Sequence, residues 1–65
     1  MSAELRHALR ARLERVLVEL DAAQRIVSAA LTRARATQDE QSCFDLLERI
    51  ASISDAARFF VSELN

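Results

Sequence analysis

Few side chains in this sequence can do covalent chemistry, and those few are not spaced to work together. His7 is the only histidine and Cys43 the only cysteine. A Ser-His or Cys-His dyad, or a metal site of the His/Cys kind, therefore finds no second member near His7 on a helical scaffold. His7 reads as a solvated residue of the first helical turns, and Cys43, set within an apolar periodicity, as a small buried hydrophobe. The carboxylates are distributed as helix-face charges and do not converge as a general acid/base pair. Ser52-Ile53-Ser54-Asp55 is a poor match to the Ser-x-x-x-Asp signature of small aspartyl-phosphate phosphatases. A phosphate-cradling loop needs glycine, and the chain contains none. The basic residues, all arginine, are spread around the first helix and interleaved with acids, a weak footprint for nucleic acid. The expectation is a protein that is not an enzyme, with no cofactor, no metal and no nucleic-acid partner.

The elements that carry these residues follow from composition and spacing. With neither glycine nor proline in 65 residues, and 51% of them hydrophobic, the sequence makes no provision for a positive-φ turn or a proline stop, and helix is the one cheap conformation. A chain this short forms one domain, and even a compact domain of about 60 residues buries only about 60% of its unfolded surface. A lone thiol fits a reducing compartment without a disulfide framework. Met1 to Arg6 lacks the apolar stretch of a signal peptide, and no apolar run approaches the roughly 18 residues of a membrane span. A cytoplasmic protein with no membrane partner is expected. Residues 1–36 carry a net +3 and residues 37–65 a net −4, an asymmetry that favours folding one segment back on the other or steering toward a complementary partner.

Leu5, Leu9, Leu13, Val16, Leu20, Ala23, Val27, Leu31 and Ala34 follow one another by threes and fours, with Leu17 and Ala30 on the flanks, and predict a helix over residues 3–36. Ser2 is the expected N-cap, Glu4 suits the first turn, and Arg33 and Arg35 suit the last. Arg10–Glu14, Arg15–Glu19 and Asp21–Arg25 stand at i, i+4. The polar string Thr37 to Ser42 is the only candidate break. Thr37 and Glu40 have the form of a capping box, which places a turn at about 37–38 and a second helix over 39–64. One uninterrupted helix is the alternative, because no glycine marks a C-cap, but the string would interrupt an apolar seam for nearly two turns. The second stripe is Cys43, Leu46, Leu47, Ile50, Ile53, Ala57, Phe60, Val61 and Leu64. The fold class expected is all-α: a two-helix antiparallel hairpin, completed by a homodimer or a partner chain.

Two features remain once the hairpin core is assigned. On the far side of the first helix Ala11, Val18, Ala22, Ala29 and Ala36 share a narrow angular band, flanked by Ala8 and Ile26; small residues admit another helix closely, and β-branched Val18 and Ile26 gain nothing on a solvated helix face. On the second helix Phe59 falls opposite the stripe and Phe44 on its border, where exposed aromatics favour an interface. Ala11, Val18, Ala22, Ile26, Ala29, Phe44 and Phe59 are thus the candidate partner-binding residues.

The order of these features resembles a known family. A long amphipathic first helix, a polar turn, Gln38-Asp39-Glu40-Gln41-Ser42-Cys43-Phe44 leading into Leu46-Leu47-Glu48-Arg49-Ile50-Ala51, and the closing Ala56-Ala57-Arg58-Phe59-Phe60-Val61 are similar to the small co-chaperones of type III secretion needle subunits, the YscE/PscE/EscE type. Gln41 and Phe44, opening the second helix, are the most distinctive part. The resemblance implies a cytoplasmic hairpin that binds a tetratricopeptide-like chaperone, the pair holding the needle subunit monomeric until export. The competing reading from the residues is a homodimeric four-helix bundle acting as a small regulator, in the manner of RNA-binding bundles or antitoxins.

Overall fold

A computed structural model describes all 65 residues as two helices, α1 (Ala3–Ala34) and α2 (Glu40–Leu64), packed antiparallel. At its start α1 follows the sequence closely. Ser2 is in the extended region (φ −68°, ψ 156°), its hydroxyl accepts the Leu5 amide at 3.1 Å, and Glu4 occupies the first turn. The three anticipated i, i+4 pairs form on the α1 surface, Arg10–Glu14 at 3.8 Å, Arg15–Glu19 at 3.7 Å and Asp21–Arg25 at 2.8 Å.

The turn differs in detail from the expectation. α1 ends at Ala34, two residues early, so Arg33 lies in its last turn while Arg35 is already extended at ψ 134°. Ala36 then takes φ 63°, so the chain does enter the left-handed region, and without glycine. A side chain with a Cβ pays about 1–2 kcal/mol there, and local hydrogen bonds offset that cost. The Ala36 N–H donates to the Glu40 carboxylate at 2.6 Å, and the Thr37 N–H to the Ala34 carbonyl at 2.9 Å. The Thr37 hydroxyl donates to the Ala34 carbonyl and accepts the Asp39 amide. Thr37 and Glu40 thus satisfy free backbone groups as a capping box does, but displaced. Glu40 binds the amide one residue before Thr37, and the N-cap of α2 is Asp39, whose side chain makes no capping bond.

The seam is narrow. On α1 the residues withdrawn from solvent are Arg10, Leu13, Leu17, Leu20, Ala23, Val27, Leu31 and Ala34; on α2 they are Glu40, Cys43, Leu47, Ile50, Ser54, Ala57, Val61 and Leu64. The α2 set alternates steps of three and four without exception, the spacing that keeps one strip of a helix against a single neighbour. Only Leu31, Ser54 and Ala57 are buried outright. At its open end the seam is closed by Arg10, whose guanidinium donates to the Asn65 side chain at 3.0 Å.

Four residues enter the seam that the broad apolar stripes did not place there, Arg10, Leu17, Glu40 and Ser54. Conversely Leu5, Leu9 and Val16 of α1 and Leu46, Ile53 and Phe60 of α2, expected in the core, are exposed. The reason is geometric, since each of two helices can bury only the strip that faces the other. The hairpin measures 51 × 15 × 11 Å with a radius of gyration of 15.2 Å, against about 11 Å for a compact chain of this length. It exposes 5154 Å², where a compact monomer of this mass exposes about 4,200 Å².

Candidate protein-binding face

Five of the six displaced core residues fall into a pattern that also takes in half-buried Ala23 and exposed Ala30. Leu9, Val16, Ala23 and Ala30 recur every seven residues along one border of the α1 seam. Leu46, Ile53 and Phe60 recur every seven along one border of α2. In an antiparallel pair these borders lie on the same side of the hairpin, so the seven residues interleave as one stripe running most of its length. Packing at both ends agrees. Leu9, Leu13, Val16, Phe60 and Leu64 share a groove at the open end, bordered by Arg12 and Glu63. Ala30, Ala34, Thr37 and Cys43 share another near the turn, bordered by Arg33 and Asp39. Phe60 stands 55% exposed toward the open end of this face and Ile53 53% exposed nearer its middle.

The opposite border is polar on α1, with Glu14, Asp21, Ser28 and Arg35, and mixed on α2, with Phe44, Ala51, Arg58 and Asn65. Three of its charges pair locally, Glu14 with Arg10, Asp21 with Arg25 and Arg58 with Asp55, the last at 3.4 Å. One side of the hairpin is therefore apolar throughout, and the other is polar on α1 and mixed on α2. An apolar strip of this length has nothing to do chemically except exclude water against another surface.

The candidate residues read from the sequence are exposed, but the hairpin distributes them over separate faces. Ala11, Val18, Ala22, Ile26 and Ala29 occupy the back of α1, with Val18 and Ile26 each 70% exposed. Phe59, 61% exposed, occupies the back of α2, and Phe44 the mixed border. The two backs point away from each other, so a single partner helix cannot touch Val18 and Phe59 together. Phe59 does reach the edge of the apolar stripe, where its ring meets Phe60 edge to face, centroids 5.9 Å apart and planes at 70°. The sequence signal for the stripe was present in the spacings 9, 16, 23, 30 and 46, 53, 60, merged with the seam because both are apolar.

His7 lies at the open end beside Met1, Ala3, Arg6, Arg10 and Leu64. Cys43 is half-buried in the seam with a free thiol. Gln41 uses its side-chain amide on its own helix, donating to Asp45 at 2.9 Å. No three His, Cys, Asp or Glu side chains cluster, and neither helix is long and apolar enough to cross a membrane. Comparison with family models, curated proteins and solved structures gave no match.

Proposed function

We propose that this chain is a non-enzymatic protein-binding module of the needle co-chaperone kind. It stabilises a tetratricopeptide-like chaperone and, through it, helps keep a type III secretion needle subunit monomeric before export. The observation that carries the binding role is the apolar stripe on a hairpin that buries only three residues. Such a hairpin gains stability whenever another helical surface covers the stripe, because a ligand of the folded state shifts the folding equilibrium toward it. The identity of the partner rests on the resemblance of the helix–turn–helix pattern, including Gln41 and Phe44, to that co-chaperone family. Helical repeats present grooves between their helices that suit an amphipathic helix pair, which is the physical sense of this assignment.

The test is co-expression with a needle subunit and its tetratricopeptide-like chaperone, followed by purification through a tag on this chain. The expected result is a stable complex that Ile53→Asp or Phe60→Asp dissociates. Purification of the chain free of both partners overturns the needle-chaperone assignment.

A further inference from the structure

We infer that in the absence of any other partner the apolar stripe is covered by a second copy of this chain, stacked face to face with its turn at the same end, about a two-fold axis along the length of the hairpin. The result is a four-helix bundle in which α1 of each copy lies over α2 of the other. The inference concerns the free chain and needs no needle chaperone, so either reading can fail without the other.

Area and volume are the first support. The stripe runs along a hairpin 51 Å long and 15 Å wide, a face comparable with the about 800 Å² that each partner of a standard stable interface contributes. Packing at both ends fixes the register of the two helices: Arg10 reaches Asn65 at the open end, and Ala30 and Ala34 meet Cys43 near the turn. In that register Phe60 stands level with Val16, Ile53 with Ala23 and Leu46 with Ala30, each within about 3 Å along the axis. The α2 side of the stripe is therefore the bulkier one at every level. Rotation about the long axis keeps each residue at its own height and exchanges the sides. Phe60, Ile53 and Leu46 of each copy then settle on Val16, Ala23 and Ala30 of the other, and close packing needs that alternation of large and small. Turning one copy end over end would instead lay α2 on α2, with Phe60 against Leu46, and set the slighter residues of α1 against one another.

Charge is the second support, and it selects the same orientation independently. The rim of the stripe carries Arg12 and Glu63 at the open end and Arg33 and Asp39 near the turn. None of the four makes an ion pair within its own chain. With α1 over α2, Arg12 of each copy faces Glu63 of the other and Arg33 faces Asp39, so both sides of the bundle carry two complementary pairs. End over end, Arg12 would meet Arg33 and Glu63 would meet Asp39. The chain as a whole follows its rim. Residues 1–36 carry a net +3 and residues 37–65 a net −4, and each basic helix gains a second acidic neighbour. The contact is isologous and closes, so it makes a dimer and not a fibre.

The experiment is native mass by light scattering across micromolar concentrations, with charge reversal and cysteine trapping. The wild-type chain is expected at twice its 7.3 kDa mass. Arg12→Glu or Glu63→Arg alone is expected to weaken self-association about tenfold, the scale of two exposed pairs reversed, and an equal mixture of the two variants to recover the wild-type affinity. Mixing restores only contacts between chains, so a loss of folding within one chain cannot mimic the result. In a Cys43→Ser background, an Ala30→Cys chain is expected to form a mixed disulfide with a Leu46→Cys chain under mild oxidation, whereas Val18→Cys, on the back of α1, links to neither. A wild-type monomer at all concentrations overturns the proposal. Arg12→Glu that tightens association, or a mixture no tighter than its components, overturns it as well, because α1 then does not lie over α2. So does a dimer in which Ala30→Cys links to Leu46→Cys no better than Val18→Cys does, since the copies then meet by other faces.

Discussion

The two borders of the helical seam are built from the same two helices and the same seven-residue spacing, yet one is a row of apolar side chains and the other is polar and charged on α1 and mixed on α2. On the charged border, Asp21 with Arg25 and Arg58 with Asp55 are satisfied within their own helices, and water completes their solvation. On the apolar border Phe60, Ile53 and Leu46 have no such local solution; their exposed area is favourable only when another surface removes it from water, at about 25 cal/mol per Å². The difference separates what folds the chain from what employs it. A hairpin needs the seam alone, and everything apolar beside the seam is available to a partner.

The largest effect expected is in the seam itself, which both borders depend on. Leu20→Asp or Ile50→Asp places an unpaired charge between the helices and should cost about 3 kcal/mol or more, a large share of the stability of so small a fold. Far-UV circular dichroism of either variant should show loss of most helical signal at room temperature. Full helicity and an unchanged melting temperature in both would falsify the seam described above.

Next in size is the contrast between the borders. Phe60→Ala removes an aromatic from the open-end part of the apolar stripe and should weaken association by about 2 kcal/mol, read as a fall in melting temperature that grows on dilution. Phe44→Ala, on the mixed border, should stay within about 0.5 kcal/mol and show no such concentration dependence. Equal losses from the two aromatics would mean that both borders are covered, and the division between them would have to be abandoned.

Much of the fold was legible because helices announce themselves locally. Ser2 capping Leu5 and the three i, i+4 ion pairs depend on residues at most four positions apart, and each formed as the spacing required. The turn was legible from Thr37 and Glu40, but not its left-handed residue, because nothing in an alanine marks Ala36 as the position that reverses the chain. The width of the seam was the harder matter. A helical projection merges the seam with its apolar border, so Leu9, Val16, Ile53 and Phe60 are indistinguishable from core, while Ser54, polar and yet buried, carries no apolar signal. What separates them is a strict alternation of threes and fours through Ser54, visible once a polar residue is admitted to the seam. Val18, Ile26 and Phe59 were legible as exposed, but their division between opposed faces depends on the hairpin as a whole.

Ala36 offers a smaller and opposite effect. Glycine takes φ 63° without the Cβ clash, so Ala36→Gly should raise stability by about 1 kcal/mol even after the added freedom of the unfolded chain. Chemical denaturation should show a higher midpoint with an unchanged slope. Since the turn joins both helices, the gain should appear equally in wild-type and Phe60→Ala backgrounds. A gain confined to the self-associating protein would instead tie the turn to the interface.

The smallest effect expected is on the charged border, and it sharpens the comparison because it should be local and no more. Asp21 and Arg25 meet at 2.8 Å on one helix face, with side chains 58% and 81% exposed. An i, i+4 pair so open to water contributes about 0.3 kcal/mol, and a Debye length of about 3 Å at 1 M salt screens most of it. A double-mutant cycle with Asp21→Ala and Arg25→Ala should therefore return a coupling of that size in dilute buffer and almost none in 1 M salt. Self-association should be the same in all four proteins of the cycle, because neither residue lies on the apolar stripe. A coupling well above 1 kcal/mol, or one that persists in salt, would require the pair to be shielded from water, and a partner would then cover the charged border as well.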